Sequence, residues 1–280
     1  MRTFWKVVIT FGVLGIFVLI IAFAIAFAMG DMDMPAFGGG EVAVVPIHGT
    51  ITMAGCSGGI LSDASCADVQ DIKDQLTAAD KDPQVKAVVL DIYSGGGDVV
   101  ASRELMRAIK GTQKPIVAWI GEIGASGAYY AASAADKIVA DDDSMTGSIG
   151  VIMFVEHYYD LFDWVGINVT TIKAGNSKDL GSPYRPMRDE EKAELQEMIE
   201  KVYVSFVSDV AENRGLDVEY VRNISQGKIY LGSEAKELGL VDETGGFDAA
   251  IELAGNISGI KGEPKVKRPE KRVRLIDLLK

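Results

Sequence analysis

The sequence contains few residues of the kinds that crosslink a chain or bind metals. Among its 280 residues are two cysteines, Cys56 and Cys66, and two histidines. Two cysteines cannot hold a fold of this length together, and their spacing is not that of a zinc site. In an oxidising compartment they can form a local disulfide, and the sequence leaves open whether they do. No HExxH motif or paired-carboxylate arrangement occurs either, so we predict neither a metal nor a cofactor.

The chain also lacks a positive net charge. Its 40 acidic residues outnumber its 28 lysines and arginines, and the net charge of −12 at pH 7 does not favour nucleic-acid binding. Basic residues are nevertheless concentrated at the C-terminus, in residues 261–280. This segment is either a solvated tail or a segment that docks on a neighbouring subunit or on anionic lipid.

One long stretch of the sequence has no charged residue. Residues 7–29 are almost entirely apolar, and a helix of this length spans roughly 35 Å, enough to cross the ~30 Å core of a bilayer. One arginine and one lysine precede the stretch and two aspartates follow it, which predicts a cytoplasmic N-terminus and an extracytoplasmic remainder. We therefore predict a membrane anchor over residues 1–30, a linker over 31–40, one domain over 41–260 and a basic tail over 261–280.

Apolar runs alternate with amphipathic segments after residue 40. Strands are predicted at residues 41–48, 85–93, 115–120, 137–140 and 168–173, and helices at 67–79, 99–110, 157–165, 189–213 and 247–254. Such alternation predicts an α/β fold of βαβ units with a mostly parallel sheet covered on both faces. In these sheets, sites form beyond the carboxyl ends of strands, where residues 94–98, 121–126 and 174–181 lie.

Ser126 follows a predicted strand and precedes an alanine-rich segment that favours helix. One interpretation is an N-cap, whose hydroxyl accepts hydrogen bonds from free backbone N–H groups. The other is a nucleophile, with the same N–H groups stabilising an oxyanion. The G-x-S-x-G motif of hydrolases is absent, because residue 128 is alanine.

A serine nucleophile needs a base. Nothing in the sequence near His48 or His157 marks either one as that base. A lysine can serve if burial lowers its pKa from ~10.4 to about 7–8, at a cost of ~4 kcal/mol in lost charge solvation. Lys178 lies among small residues in one of the three candidate loops, where a solvated surface lysine is the alternative. The glycines at 95–97 can present backbone N–H groups to a substrate carbonyl.

Five motifs follow one another along this part of the chain. They are Ser-Gly-Gly-Gly at 94–97, Gly-Ala-Ser-Gly-Ala-Tyr-Tyr at 124–130, Ala-Asp-Lys-Ile-Val at 135–139, Thr-Gly-Ser-Ile-Gly-Val at 146–151 and Gly-Ser-Pro-Tyr-Arg-Pro at 181–186. In this order they resemble serine peptidase family S49, the signal peptide peptidase A family, in its short single-domain form. The resemblance covers roughly residues 41–260 and implies a fold similar to the Clp protease and crotonase folds.

The resemblance also implies roles for individual residues. Ser126 would be the nucleophile, Lys178 the general base and Ser148 the hydroxyl that orients the lysine. The backbone N–H groups of Gly96 and Gly127 would form the oxyanion hole. The implied enzyme is a ring-like homo-oligomer in which the serine and the lysine come from adjacent subunits. Its implied substrates are membrane-derived peptides, such as cleaved signal peptides.

One departure from the family concerns the glycine loop, where Gly95 replaces the proline of the usual Ser-Pro-Gly-Gly. Three other functions remain open at this point. The first is a stomatin-cleaving membrane protease of the same clan, whose core motifs overlap these. The second is a crotonase-like acyl-CoA enzyme. The third is a scaffold without catalytic activity, in which Ser126 only caps a helix.

Overall fold

A computed structural model of the chain describes residues 40–55 and 66–268. The predicted membrane anchor and all of the predicted linker except Gly40 lie outside the described residues. A search of the described helices finds none that combines the length and the apolar character of a membrane span.

The described chain alternates between strands and helices as predicted. The strands are β1 (Val42–His48), β2 (Thr50–Thr52), β3 (Cys66–Asp68), β4 (Ala87–Ser94), β5 (Ile116–Ala125), β6 (Lys137–Ala140), β7 (Met145–Gly147), β8 (Ile229–Leu231), β9 (Glu243–Thr244) and β10 (Val266–Lys267). The helices are α1 (Val69–Lys81), α2 (Val99–Gly111), α3 (Gly127–Ala132), α4 (Tyr159–Trp164), α5 (Asp189–Arg214), α6 (Val218–Ile224), α7 (Gly232–Glu237) and α8 (Phe247–Ile257).

Eight of these strands form one sheet, with β10, β1, β4, β5, β6 and β9 side by side in that order. All of these pairs are parallel, and β7 and β8 join as an antiparallel pair beside β5. The prediction of a mixed α/β fold with a mostly parallel sheet is therefore confirmed. The remaining two strands, β2 and β3, form a small parallel sheet of their own.

Strand β1 shows why both faces of the sheet are buried. Successive side chains of a strand point to opposite faces. Val42 and Val44 belong to a cluster that includes Ala250 and Ala254 of α8. Val45 and Ile47, one step out of phase, belong to the larger cluster formed with α1, α2, α3 and α5. A strand covered on both faces has no polar side to alternate with, and so its sequence is a nearly continuous apolar run.

Strand β5 is longer than predicted, because it continues through residues 121–125. Its first half pairs with β6, and its second half, from Ile123 to Ala125, pairs with β7. The ladder from β7 supplies hydrogen-bond partners for a stretch whose glycines indicated a loop. As a result, Ser126 lies directly at the carboxyl end of a central strand.

The predicted strand at residues 168–173 is wrong. These residues belong to an arm, residues 151–188, in which α4 is the only helix and no strand forms. Isolated strands are not stable, and no described strand pairs with this part of the chain. The side chains of Phe154, Trp164 and Ile172 are 84%, 82% and 95% exposed, so the arm presents apolar groups that the described chain does not cover.

The start of the basic tail is part of the fold. Residues Val266–Lys267 form β10 and pair with β1, and the ammonium of Lys267, 1% exposed, lies 2.7 Å from a carboxylate oxygen of Asp82. Neither a solvated tail nor docking on another molecule describes this part, because it docks on its own sheet. Residues 269–280 lie outside the described residues.

Cys66 opens β3 and is part of a disulfide. The only other cysteine in the sequence is Cys56, which lies outside the described residues. Of the alternatives left open above, the bonded one is therefore found for Cys66.

Candidate active site

Ser126 lies on a sharp turn between β5 and α3. Its φ of 53° and ψ of −124° fall in a region that residues other than glycine rarely adopt, and such strain often marks functional sites. Ser126 occupies the N-cap position of α3, but its side chain makes no capping hydrogen bond. Its side chain lines a cavity instead. The structure therefore contradicts the interpretation of Ser126 as a capping residue.

The turn is held on both sides by buried structure. The N–H of Ser126 donates to the carbonyl oxygen of Gly147 at 2.9 Å, which continues the β5–β7 ladder. The hydroxyl of Thr146, fully buried, donates to the carbonyl oxygen of Gly124 at 2.8 Å. All six residues of α3 are buried. Ser126 is thus fixed by packed secondary structure, which is what a reacting group requires.

The glycine loop after β4 lies against this turn. A Cβ placed on Gly96, whose φ is 102°, would come within 2.6 Å of the backbone nitrogen of Gly127. As the first residue of α3, Gly127 has an N–H group without an acceptor inside the helix. The N–H of Gly96 donates to the hydroxyl of Ser94 at 3.1 Å, and that hydroxyl donates to the carbonyl oxygen of Gly49 at 2.6 Å. In this structure the Gly96 amide is therefore already engaged, and its role in an oxyanion hole stays a prediction.

Gly97 is one of the three loop glycines predicted as possible N–H donors, although the family resemblance did not assign it to the oxyanion hole. It lines the same cavity as Ser126, and its backbone nitrogen would lie 3.2 Å from a Cβ placed on Gly127. The loop is joined to β2 because Ile51 N–H donates to the carbonyl oxygen of Gly96 at 3.0 Å and Asp98 N–H donates to that of Ile51 at 2.9 Å. Only the folded chain brings β2 beside the loop.

We expect Gly97→Ala to lower the free energy of unfolding by about 1–3 kcal/mol, a typical cost of overpacking. The added Cβ would lie 2.1 Å from the carbonyl oxygen of Ile51, and β2 must move to admit it. Urea denaturation measures the change. Gly111→Ala is the matched control, because no atom lies within 4 Å of its added Cβ. Equal stability of the two variants would contradict the close packing of β2 on the loop.

Ser126 and Ser148 line one cavity of about 430 Å³. Ser148 follows β7, has a φ of 50°, and its N–H donates to the carbonyl oxygen of Lys228 at 2.8 Å. Its wall contains apolar residues, among them Val99, Ile152, Ile199 and Phe206, and polar ones, among them Gln196 and Glu200. The structure therefore brings two of the predicted site serines to one cavity, whose wall has both apolar and polar side chains.

Tyr130 contributes a polar group to the wall of this cavity. Its hydroxyl donates to the carboxylate of Asp209 and accepts from Arg103 Nε at 3.3 Å. Burial, together with the hydrogen bond to Asp209, raises the pKa of Tyr130 to about 12. The phenol is therefore neutral at physiological pH.

Lys178 lies outside this cavity in the single chain. It belongs to the arm, its side chain is exposed, and it is not among the residues that line the cavity. Its N–H donates to the carbonyl oxygen of Gly175 at 3.3 Å, within a series of turns. The described chain thus brings together Ser126, Ser148 and Gly127, and leaves Lys178 apart from them.

Neither histidine lies where it could replace Lys178 as the base for Ser126. His48 ends β1, and its Nε2 lies 3.3 Å from a carboxylate oxygen of Asp91. His157 lies on the arm, where its ring contacts the edge of Tyr159. Neither histidine lines the cavity that contains Ser126. A histidine base for Ser126 therefore finds no support in this arrangement.

Comparison with known proteins identifies a family whose profile matches this chain. The profile of Peptidase family S49 matches residues 108–261. The chain is 41% identical over 235 residues to a protein of Methanocaldococcus jannaschii named as a protease, covering 83% of this chain and 76% of that protein. It is 37% identical over 186 residues to a protein of Enterococcus faecium named as signal peptide peptidase SppA, covering 65% and 54% respectively.

More distant similarities agree with these. Protease 4 of Salmonella typhi is 32% identical over 243 residues, covering 85% of this chain and 38% of that protein. The chain therefore spans between about a third and three quarters of the length of these relatives. Among solved structures, a serine-to-alanine mutant of the 1510-N membrane-bound stomatin-specific protease matches with a TM-score of 0.56 and 14% identity, covering 83% of this chain and 99% of that chain. At this identity the likeness concerns the fold alone.

Proposed function

Because this chain belongs to peptidase family S49, we propose that it is a membrane-anchored serine endopeptidase in which Ser126 and Lys178 form the catalytic dyad. The observation that carries the proposal is the state of Ser126. It is held in a strained backbone conformation, makes no capping bond and lines a cavity. Such strain costs free energy, and a scaffold without catalytic activity gives no reason to retain it. The strain therefore argues against the scaffold alternative.

The proposed reaction is acyl transfer to Ser126. The serine Oγ attacks the peptide carbonyl carbon while the neutral amine of Lys178 takes the hydroxyl proton. The carbonyl oxygen becomes an oxyanion, and the N–H of Gly127 and one from the glycine loop, Gly96 in our prediction, donate to it. The lysine then gives its proton to the leaving amine, and a water molecule hydrolyses the acyl-enzyme by the same steps. The Ser148 hydroxyl would accept from the amine and orient it.

We further propose that Lys178 reaches Ser126 of an adjacent copy in a homo-oligomer. Two observations support this: Lys178 is exposed and outside the cavity of its own chain, and the arm that carries it exposes large apolar side chains. Exposed apolar patches of this kind mark interaction sites. Docking the arm on a neighbour would also remove the lysine from water, as a neutral amine requires.

The proposed substrates are membrane-derived peptides, in particular cleaved signal peptides. Residues 7–29 would anchor the enzyme where such peptides lie, with the catalytic domain on the extracytoplasmic side. The apolar residues in the wall of the cavity suit small or apolar substrate side chains. Cleavage of a stomatin-like protein is the second candidate, favoured by the fold that the chain shares with the stomatin-specific protease. Membership of the Clp protease and crotonase fold group stays a prediction from the family resemblance.

The test uses the full-length protein in detergent and three compounds: a signal peptide, a stomatin C-terminal peptide and an acyl-CoA. We expect cleavage of the signal peptide and covalent labelling of Ser126 by a fluorophosphonate. Cleavage of the stomatin peptide alone would select the second candidate. Turnover of the acyl-CoA without labelling of Ser126 would replace the peptidase proposal with a crotonase-like one.

A further inference from the structure

Lys178 lies in a loop, residues 173–185, whose two ends meet at one carboxylate. Asp179, the neighbour of Lys178, has a side chain that is 9% exposed. It accepts from the ammonium of Lys173 at the start of the loop and from Arg185 Nε, at 2.8 Å, at its end. Arg185 Nη2 also donates to the backbone carbonyl oxygen of Asp179 at 3.1 Å. The residue beside Lys178 is therefore held from both directions.

Arg185 also ties this loop to the first turn of α5. Its Nη1 donates to Glu191 Oε2 at 2.7 Å, and its Nη2 contacts the other carboxylate oxygen. Glu191 is 3% exposed, and it accepts as well from the backbone N–H of Arg188 at 3.0 Å and from its guanidinium at 2.6 Å. One planar guanidinium thus binds two carboxylates on different segments, which a lysine ammonium cannot do with the same geometry.

Both carboxylates stay charged in this arrangement. Hydrogen bonds from Arg185 hold the pKa of Asp179 far below its ordinary value and lower the pKa of Glu191 to about 2. Since both folded-state pKa values are lowered, the ion pairs are retained from neutral pH down to well below pH 4. Protonation of this network is therefore not a source of pH dependence in the range where a peptidase is assayed.

Outside this cluster, the tertiary contacts of the loop lie at its C-terminal end, where the carbonyl oxygen of Pro183 accepts from Tyr158 N–H at 2.8 Å and the ring of Tyr184 stacks on Phe162. Short-range turns organise its backbone, with Leu180 N–H donating to the carbonyl oxygen of Ser177 and Ser182 N–H to that of Asp179, both at 3.0 Å. Residues 171–178 are all exposed, so no hydrophobic core surrounds Lys178. A group that must enter a neighbour's cavity binds with less entropy loss when its loop is ordered beforehand.

We propose that Arg185 is a positioning residue, which holds the loop in the conformation that presents Lys178 to Ser126 of the adjacent copy. This inference rests on the proposed role of Lys178 as the base. Arg185 does not line the cavity that contains Ser126, and we infer that it acts through Asp179 and Glu191. The guanidinium fork, rather than its positive charge alone, is the feature that matters.

We expect Arg185→Met to lower kcat by about 10- to 100-fold with KM within about threefold of wild type, because misplacing a reacting group by about 1 Å can cost that much. Arg185→Lys keeps the charge but loses the fork, so kcat should stay at least about tenfold low. Asp179→Asn should lower kcat by a similar factor, because it alters the carboxylate that Arg185 binds. The matched control is Arg188→Met. The wild-type Arg188 side chain binds Glu191 but not Asp179, so kcat of this variant should stay within about threefold of wild type.

A mixing experiment separates positioning from loss of fold. Oligomers are assembled from Arg185→Met and Ser126→Ala chains, so that an intact Lys178 loop from one chain can meet an intact serine from the other. We expect activity well above that of either variant alone, with unchanged Tm and oligomer size. Wild-type kcat in Arg185→Met, or no recovery in this mixture while Ser126→Ala and Lys178→Ala chains do recover activity together, would overturn the role of Arg185. If the Ser126→Ala and Lys178→Ala mixture itself fails, the shared dyad is wrong, and kcat of Arg185→Met and Arg185→Lys alone decides the positioning role.

Discussion

Replacing Ser126 with alanine is expected to lower peptide turnover by about 10⁴-fold or more, because removing the nucleophile leaves only binding and oxyanion stabilisation. The protein should fold and assemble as before. The Ser126 hydroxyl makes no capping bond, so its removal costs α3 nothing, and alanine keeps the Cβ that the turn already accommodates. Turnover of a signal peptide, together with Tm, measures both parts of this expectation.

Ser144→Ala is the control, because this variant should lose stability and keep its turnover. Ser144 is buried, and its hydroxyl donates to the carbonyl oxygen of Asp141 at 2.9 Å. Its loss should lower the free energy of unfolding by about 1 kcal/mol and leave turnover unchanged. If Ser126→Ala instead destabilised the protein and kept its turnover, Ser126 would be a structural residue and the proposed nucleophile would be wrong.

Replacing Lys178 with alanine is expected to lower turnover by about 10³-fold or more, since the dyad acts as a unit. Stability should be unchanged, because the side chain is exposed in the single chain. Mixed oligomers of Ser126→Ala and Lys178→Ala chains should recover activity. With random assembly, about one site in four combines an intact serine with an intact lysine from its neighbour.

Two outcomes would contradict this account. Near-wild-type turnover in Lys178→Ala would exclude the lysine as the base. Inactive single variants that recover no activity on mixing would place the serine and lysine of each site in one chain.

Lys236→Ala, which removes an exposed lysine on α7, is the matched control and should retain turnover within about twofold of wild type.

The strand predictions show what local pattern can and cannot decide. Strands β1, β4 and β6 agree with their predictions because strands buried on both faces are continuous apolar runs. The extension of β5 through residues 121–125 was missed because its ladder comes from β7, some twenty residues further along the chain. The strand predicted at residues 168–173 is absent for the converse reason: its pattern is suitable, but a strand also needs a neighbour to pair with.

The candidate site divides in the same way. Motif order indicated Ser126, Ser148, Gly127 and Lys178, and the structure brings the first three to one place. Gly97 was predicted only as one of three possible N–H donors, and Arg185 only as part of a family motif. Gly97 matters because β2 packs against it, and Arg185 because it reaches two carboxylates. Both relationships are distances between atoms of separate segments, which no local pattern encodes.

The order of apolar runs and motifs by itself determined the α/β class, the family and the position of Ser126 between a strand and a helix. These follow from side-chain chemistry and spacing along one segment at a time. Only the tertiary structure decided that Ser126 does not cap its helix, that β10 docks on β1, and that Lys178 stands apart from the cavity in its own chain. Each of these depends on backbone angles and contacts that arise when distant segments pack together.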